Sequence, residues 1–224
     1  MTVDRGRLRG VYNPPCSPQH IMAKIAGRIP EHKTYVEVFG GAGLLFAKPP
    51  SPVEVYNDLD SGLVSFSRSI RKPGGFARLF KLIEGKEAGQ ASSPDGRCAE
   101  EWLLDMLPVL PPAMHRRGSI LLLKDVLDRA MRVQVEHSDP HQLIRRYDTP
   151  ETLFFLRPMD NLPHASRALL VQQLLELCGR AILLDLDREE YRSLAEDGWN
   201  RLDFLSDEQG ISTAWFNSGK SKVF

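Results

Sequence analysis

The sequence predicts an α/β fold with a largely parallel sheet, helices on both of its faces, and an antiparallel hairpin at the C-terminal end. Three observations predict it. Short runs rich in Val, Ile, Phe and Tyr recur at 35–39, 53–56, 153–156 and 181–186. Stretches of helical periodicity come before, between and after them, and a glycine-rich turn follows the first run directly. Strands that alternate with helices are joined by crossovers, and crossovers pair strands in parallel.

Taken in chain order, "PQHIMAKIAGRIP" reads as an amphipathic helix leading into the first strand, Tyr35 to Phe39. The second strand, Val53 to Tyr56, is followed by "SGLVSFSRSIR", a helix opened by Ser61. From Pro73 to Asp125 the breakers "KPGG", "ASSPDGR" and "PVLPPAMHRRG" interrupt the strand and helix rhythm, and the apolar residues fall on short helical segments. This interval is expected to be a mostly helical insertion, 73–125, in a core made of 1–72 and 126–224. The strand Leu153 to Leu156 then precedes "HASRALLVQQLLELCGR", a helix closed near Gly179, and the strand Ala181 to Leu186. Finally "RLDFL" and "STAWFN", joined by the polar turn "SDEQGI", read as an antiparallel hairpin on the edge of the sheet.

With 224 residues, 25.3 kDa and 42% hydrophobic composition, the chain can bury one sizeable core with a modest inserted subdomain. Lys+Arg 29 against Asp+Glu 29 gives no net charge, which excludes a histone-like role. Nucleic-acid contacts would depend on local clusters, of which "HRRGS", "IRRY" and "SGKSKVF" are the candidates. No apolar run suits a signal peptide or a membrane span, so a cytoplasmic protein without a membrane partner is expected. Cys16, Cys98 and Cys178 are odd in number and widely spaced, which argues against a disulfide framework or a cysteine-rich zinc site. His137 and His141 have helical spacing, but Pro140 between them speaks for a turn, and no metal is expected. Trp102, Trp199 and Trp215 each lie in an apolar pattern and are expected to anchor packing.

In "YVEVFGGAGLLF", Gly40, Gly41 and Gly43 come where the chain must turn sharply and let its backbone approach a ligand. In "VEVYNDLD", Asn57 and Asp58 end the second strand. A doubly wound sheet opens both segments on one edge, where Asp58 can accept hydrogen bonds from the ribose hydroxyls of a nucleoside. Each part alone is also compatible with a tight connection and a helix cap. Together they are more specific.

The segment from Tyr35 to Arg71 resembles the cofactor half of the Dam-type adenine-specific DNA methyltransferases, whose F-x-G-x-G turn holds S-adenosylmethionine. The resemblance continues in "RVQVEHSDPHQLIRRYDTPETLFFL", in "AILLDLDREEYRSLAEDGWNRLDF" and in "STAWFN", covering most of the chain outside the insertion. It implies a Rossmann-like methyltransferase fold, S-adenosylmethionine as cofactor and double-stranded DNA as partner. Glu37, Phe39, Gly40, Gly41 and Gly43 match the family's glycine motif, and Asp58 its ribose-binding acidic residue. The insertion stands where the family keeps its target-recognition segment.

One departure concerns the chemistry. Where the family has Asp-Pro-Pro-Tyr after the strand equivalent to "TLFFL", this chain has Arg157, Pro158, Met159 and Asp160. The exocyclic amine of adenine is a poor nucleophile because its lone pair is delocalised into the ring. The motif supplies a carboxylate and a proline carbonyl as acceptors for that amine, and an aromatic ring that stacks on the flipped base. Arginine has only donors and a fixed positive charge. Met159 removes the second proline, and Asp160 the ring.

Two compensations are conceivable: Asp160 brought inward by a rearranged loop, or Asn13-Pro14-Pro15-Cys16 acting as the Asn-Pro-Pro-aromatic variant of the motif. The family's Gly-Gly-Lys segment is also replaced, by "CSPQ", which weakens the expectation for the cofactor. The expectation is a catalytically impaired relative that acts as a DNA-binding or partner subunit alongside a catalytic partner. An active enzyme with a rearranged loop and a cofactor-free interaction protein are the alternatives. Arg157 itself could pair with Asp185, with Asp187 or with a bound phosphate.

Overall fold

The structure is a computed structural model that describes residues 18–40, 48–59, 64, 71, 72, 74, 129, 131–159, 161–205 and 211–217. Its strands are β1 (Thr34–Glu37), β2 (Val53–Asn57), β3 (Gln134–Glu136), β4 (Thr152–Leu156), β5 (Arg180–Leu186), β6 (Asn200–Leu205) and β7 (Ile211–Phe216). The helices among the described residues are α1 (Pro18–Ala26), α2 (Pro140–Tyr147), α3 (His164–Glu176) and α4 (Arg192–Glu196), the last entered through a 3-10 turn at Glu189–Tyr191.

The strands form one sheet of order β3-β2-β1-β4-β5-β7-β6. β3, β2, β1, β4 and β5 run parallel, and β7 lies antiparallel to both β5 and β6. This is the Rossmann-like arrangement that the sequence led us to expect, a mixed sheet closed by a C-terminal antiparallel hairpin.

Burial explains the order. Every residue of β4 is buried, so "TLFFL" can only be a central strand covered on both faces. Its alternation divides the core. Phe154 and Leu156 join Val36, Val55 and Leu183 beneath α2, α3 and α4. Leu153 and Phe155 join Tyr35, Tyr56 and Ile182 against Ile21, Met22 and Ile25 of α1. Trp199 and Trp215 are buried in the first of these layers, in keeping with the packing role expected for them, whereas Trp102 lies outside the described residues.

The hairpin does extend the β5 side of the sheet, but its second strand lies inward. β7 buries Thr213, Ala214 and Trp215, whereas β6 exposes Asn200, Arg201 and Asp203 and suits the solvent edge. At the start of β5, Gly179 is required by close approach. A Cβ there would lie 2.8 Å from the Thr149 carbonyl oxygen, and the Gly179 N–H donates to Asp148 Oδ1 at 2.8 Å.

Two elements escape the sequence pattern. β3 is three residues long with polar ends, so it shows no apolar run. Pro140, expected to mark a turn, is instead the first residue of α2, where a missing N–H costs nothing. Asp139 caps that helix by accepting from the Gln142 N–H at 3.0 Å. The expected helix at 61–71 lies outside the described residues apart from Val64 and Arg71, and the insertion 73–125 apart from Gly74.

Candidate functional site

In the strand order the chain leaves β1 toward β2 and β3, then returns to place β4 on the other side of β1. The carboxyl ends of β1 and β4 therefore flank the topological switch point, where open α/β sheets bind their ligands. Gly40 follows β1 and Arg157 follows β4 at this edge, and Asp58 follows β2 beside them.

The Gly40 turn is fixed by geometry. Its φ is +61°, a left-handed conformation, and a Cβ built there would lie 2.2 Å from Asp58 Oδ2 and 2.8 Å from the Asn57 carbonyl oxygen. Only glycine lets β1 turn this close to the end of β2. The two segments singled out in the sequence are thus interlocked at their backbones.

Asn57 makes that junction rigid. It is fully buried, donates from Nδ2 to the Val38 carbonyl at 2.8 Å and to the Ser138 carbonyl at 3.0 Å, and accepts from the Ser138 N–H at 2.8 Å. One amide side chain therefore ties the ends of β1, β2 and β3. Asp58 is half-buried, and its Oδ2 accepts from the Tyr56 hydroxyl at 3.1 Å. Its carbonyl accepts from His137 Nδ1 at 2.9 Å. Glu37 is buried beneath the turn and accepts from the Tyr35 hydroxyl at 2.9 Å. Burial, and next the Glu37 charge, push the Tyr35 phenol up, so it stays a donor. Phe39 packs partly buried against the core. Gly41, Gly43 and Asp160 lie outside the described residues, as do Asn13, Pro14, Pro15 and Cys16.

After β4, Pro158 is buried, while Arg157 and Met159 are exposed. Arg157 makes no hydrogen bond or ion pair among the described residues, and the partners suggested for it by sequence are otherwise engaged. Asp185 Oδ2 accepts from the Tyr191 hydroxyl at 2.5 Å, from Arg188 Nε at 3.3 Å and from Arg167 Nε at 3.4 Å. Asp187 pairs with Arg201 at 2.9 Å.

Arg167 holds the loop that Arg157 begins. Its guanidinium donates to the Leu162 carbonyl at 2.8 Å and to the Met159 carbonyl at 3.3 Å, while the Leu162 N–H also closes on the Met159 carbonyl at 2.9 Å. Burial, and next the Asp185 charge, push the Tyr191 phenol up and keep it protonated toward Asp185. The signal for this clamp was present in the sequence and went unread: Arg167, Leu170, Val171 and Leu174 share one helical stripe, and an arginine on a buried stripe needs a built-in partner.

A second cluster also went unread, on the α1 face at the start of β2. Lys48 Nζ donates to Glu54 Oε1 at 2.8 Å and to Ser51 Oγ at 2.7 Å, and lies 4.3 Å from the Tyr35 ring centroid. Arg129 grips both carboxylate oxygens of Glu54, at 2.6 and 2.9 Å. Burial alone would raise the Glu54 carboxyl, but the bonds from Arg129, Lys48 and the Ser51 N–H outweigh it and hold the group below its ordinary value. Arg129 stands 75 positions from Glu54, so no local pattern announces that pair.

His137 and His141 do not converge: the first serves Asp58, and Nδ1 of the second lies 2.6 Å from Gln173 Oε1. Of the basic clusters, only "IRRY" is described, and there Ile144 is buried while Arg146 pairs with Glu136 at 3.4 Å. Among the described residues no helix is long and apolar enough to cross a membrane.

No protein-family model matches the sequence, and no curated protein matches it. Solved structures with a similar course include TrmN from Thermus thermophilus, at TM-score 0.45 and 13% identity over 88% of this chain and 47% of that one. An rRNA methylase from Streptococcus thermophilus matches at TM-score 0.45 and 10% identity, over 94% of this chain and 100% of that one. The chain thus spans about half the length of the first and the whole of the second. Neither likeness assigns it a substrate.

Proposed function

We propose that this chain is a relative of the adenine-specific DNA methyltransferases that keeps the nucleoside cradle of the family and has lost effective methyl transfer, serving double-stranded DNA as a binding or partner subunit. The observation that carries the reading is the interlock of Gly40 with Asp58, in which a Cβ would meet the carboxylate at 2.2 Å. That junction brings a side-chain-free backbone turn up to an acidic residue at the carboxyl edge of the sheet, the combination a ribose needs.

The residues present fit the nucleoside half of S-adenosylmethionine. Asp58 would accept from the ribose hydroxyls, and the backbone at Phe39 and Gly40, supported by the buried Glu37, would line the turn, with Gly41 and Gly43 continuing the motif. When bound, the cofactor supplies a methyl group on a sulfonium. The chain's own contribution to transfer would be to hold the adenine amine with acceptors, and here Arg157 offers none. The Met159 carbonyl is also committed, since Leu162 and Arg167 already donate to it. Removal of one well-placed electrostatic group from such a site costs on the order of 3 kcal/mol, a slowing of about a hundredfold, before the repulsion from a guanidinium is added.

The test is methyl incorporation from labelled S-adenosylmethionine into unmethylated double-stranded DNA, comparing the natural chain with Arg157→Asp/Met159→Pro/Asp160→Tyr. The expected result is silence from the natural chain and incorporation by the triple variant. Incorporation by the natural chain at the rate of the triple variant would overturn the loss of catalysis and direct attention to Asp160 or Asn13 as the acceptor.

A further inference from the structure

We infer that the cradle prefers a ribonucleoside with an anionic 5′ group, a nucleoside phosphate, over one with a cationic sulfonium, and that Arg157 sets this preference. The inference rests on the nucleoside cradle proposed above and names its ligand class.

The placement follows from strand order. β2, β1 and β4 are consecutive neighbours, so Asp58, Gly40 and Arg157 step across the sheet edge in that sequence, with about 4.8 Å between adjacent strands. The Val38 N–H donates to the Phe155 carbonyl at 3.0 Å, which brings the ends of β1 and β4 level with each other. A ribose anchored on Asp58 with its 5′ substituent over the Gly40 turn therefore extends that substituent toward Arg157.

Among the described residues, none neutralises the charge there. Asp185 is enclosed by Arg167, Arg188 and Tyr191, and Asp187 is held by Arg201, so neither carboxylate compensates Arg157. Arg157 is exposed and makes no ion pair among the described residues. A guanidinium is permanently charged and presents a planar set of donors matched to phosphate oxygens. It repels a sulfonium for the same reason. At the β3 end of the same edge, His137 holds the Asp58 backbone in place through its Nδ1.

The test is equilibrium binding of the full chain to three probes that share one nucleoside: adenosine diphosphate, S-adenosylhomocysteine and S-adenosylmethionine. The natural chain is expected to bind adenosine diphosphate at least about tenfold more tightly than S-adenosylmethionine, the scale of one hydrogen bond to a charged group. S-adenosylhomocysteine, which lacks the sulfonium charge, is expected between them. Arg157→Gln should weaken adenosine diphosphate by about tenfold and strengthen S-adenosylmethionine, and Asp58→Asn should weaken all three together.

Equal affinity for adenosine diphosphate and S-adenosylmethionine, or an order unchanged by Arg157→Gln, would overturn the inference while leaving the cradle in place. No binding of any probe to the natural chain or to Arg157→Gln would overturn the inference and the cradle together.

Discussion

Gly40 carries the heaviest constraint of any single residue at the site. At φ +61° any side chain is strained, and the Cβ of even alanine would meet Asp58 Oδ2 at 2.2 Å. Gly40→Ala is expected to cost about 1–3 kcal/mol of stability from the backbone alone, read as a lower denaturant midpoint. Because Asp58 or the turn must move, it should also abolish binding of every nucleoside probe, whereas Arg157→Gln changes only their order. A Gly40→Ala variant that kept full stability and full binding would show that the turn is not constrained as drawn. At this scale the sequence was informative where chemistry is local. Gly40 and Asp58 stood out by type and position, and so did the absence of a carboxylate at Arg157. The pairing of Arg157 was not legible, because the fates of Asp185 and Asp187 depend on Arg167, Arg188 and Arg201, which the fold brings from α3, the segment after β5, and β6.

The loop between β4 and α3 illustrates the same limit for elements. It begins with the exposed Arg157 and ends at Pro163, and the clamp that shapes it comes from Arg167 one turn into the following helix. Arg167→Met would leave the Met159 and Leu162 carbonyls without that donor and the buried Asp185 with Arg188, Tyr191 and the Leu186 N–H. Breaking a buried pair from one side typically costs about 3–5 kcal/mol, and the presence of Arg188 places the expectation at the lower end. Faster amide exchange at Leu162 is expected along with the lost stability, and unchanged exchange there would show that Arg167 does not position the loop. A smaller prediction belongs to α2: Asp139→Ala should cost about 1 kcal/mol, since it removes the cap on Gln142, with the site's geometry preserved. Long apolar elements such as β4, β5 and α3 were legible because burial on a regular element writes a period into the sequence. β3 and α2 were not, since one is three residues long and the other opens on a proline that reads equally well as a turn.

Across the whole molecule, the two flanks of the sheet rest on different balances of ionic and apolar contact, and acid should separate them. The β3-β2-β1 flank depends on Glu54, gripped by Lys48 and Arg129, and on Glu136 at the end of β3. Burial alone would raise the Glu136 carboxyl too, and bonds from Gln134 and Tyr147 together with the Arg146 charge outweigh it and hold the group low. A carboxyl whose folded pKa lies below its unfolded value, near 4.3, stabilises the fold fully above that value and loses the contribution as pH falls toward the folded one. Both groups therefore stabilise this flank at neutral pH and release it below about pH 4.3. The β5-β7-β6 flank also has ionic contacts, the buried Asp185 with Arg167 and Arg188 and the exposed Asp203 held low by Arg201, but it adds to them the apolar contact of Ile182, Leu183, Ala214 and Trp215, buried across its two pairings. Hydrogen exchange compared at pH 7 and near pH 4, corrected for intrinsic rates, is expected to show Val53–Asn57 losing protection before Ile182–Leu186. Glu54→Gln should reproduce that local loss at pH 7 and flatten its further dependence on acid, because the variant has no proton to take up at that position. Equal loss of protection on both flanks, in the natural chain and in Glu54→Gln alike, would mean that the ionic cluster does not govern this half of the sheet. The consequence for the site is direct: β1 and β2 carry Gly40 and Asp58 at their carboxyl ends, so acid that loosens this flank should weaken nucleoside binding before the molecule as a whole unfolds.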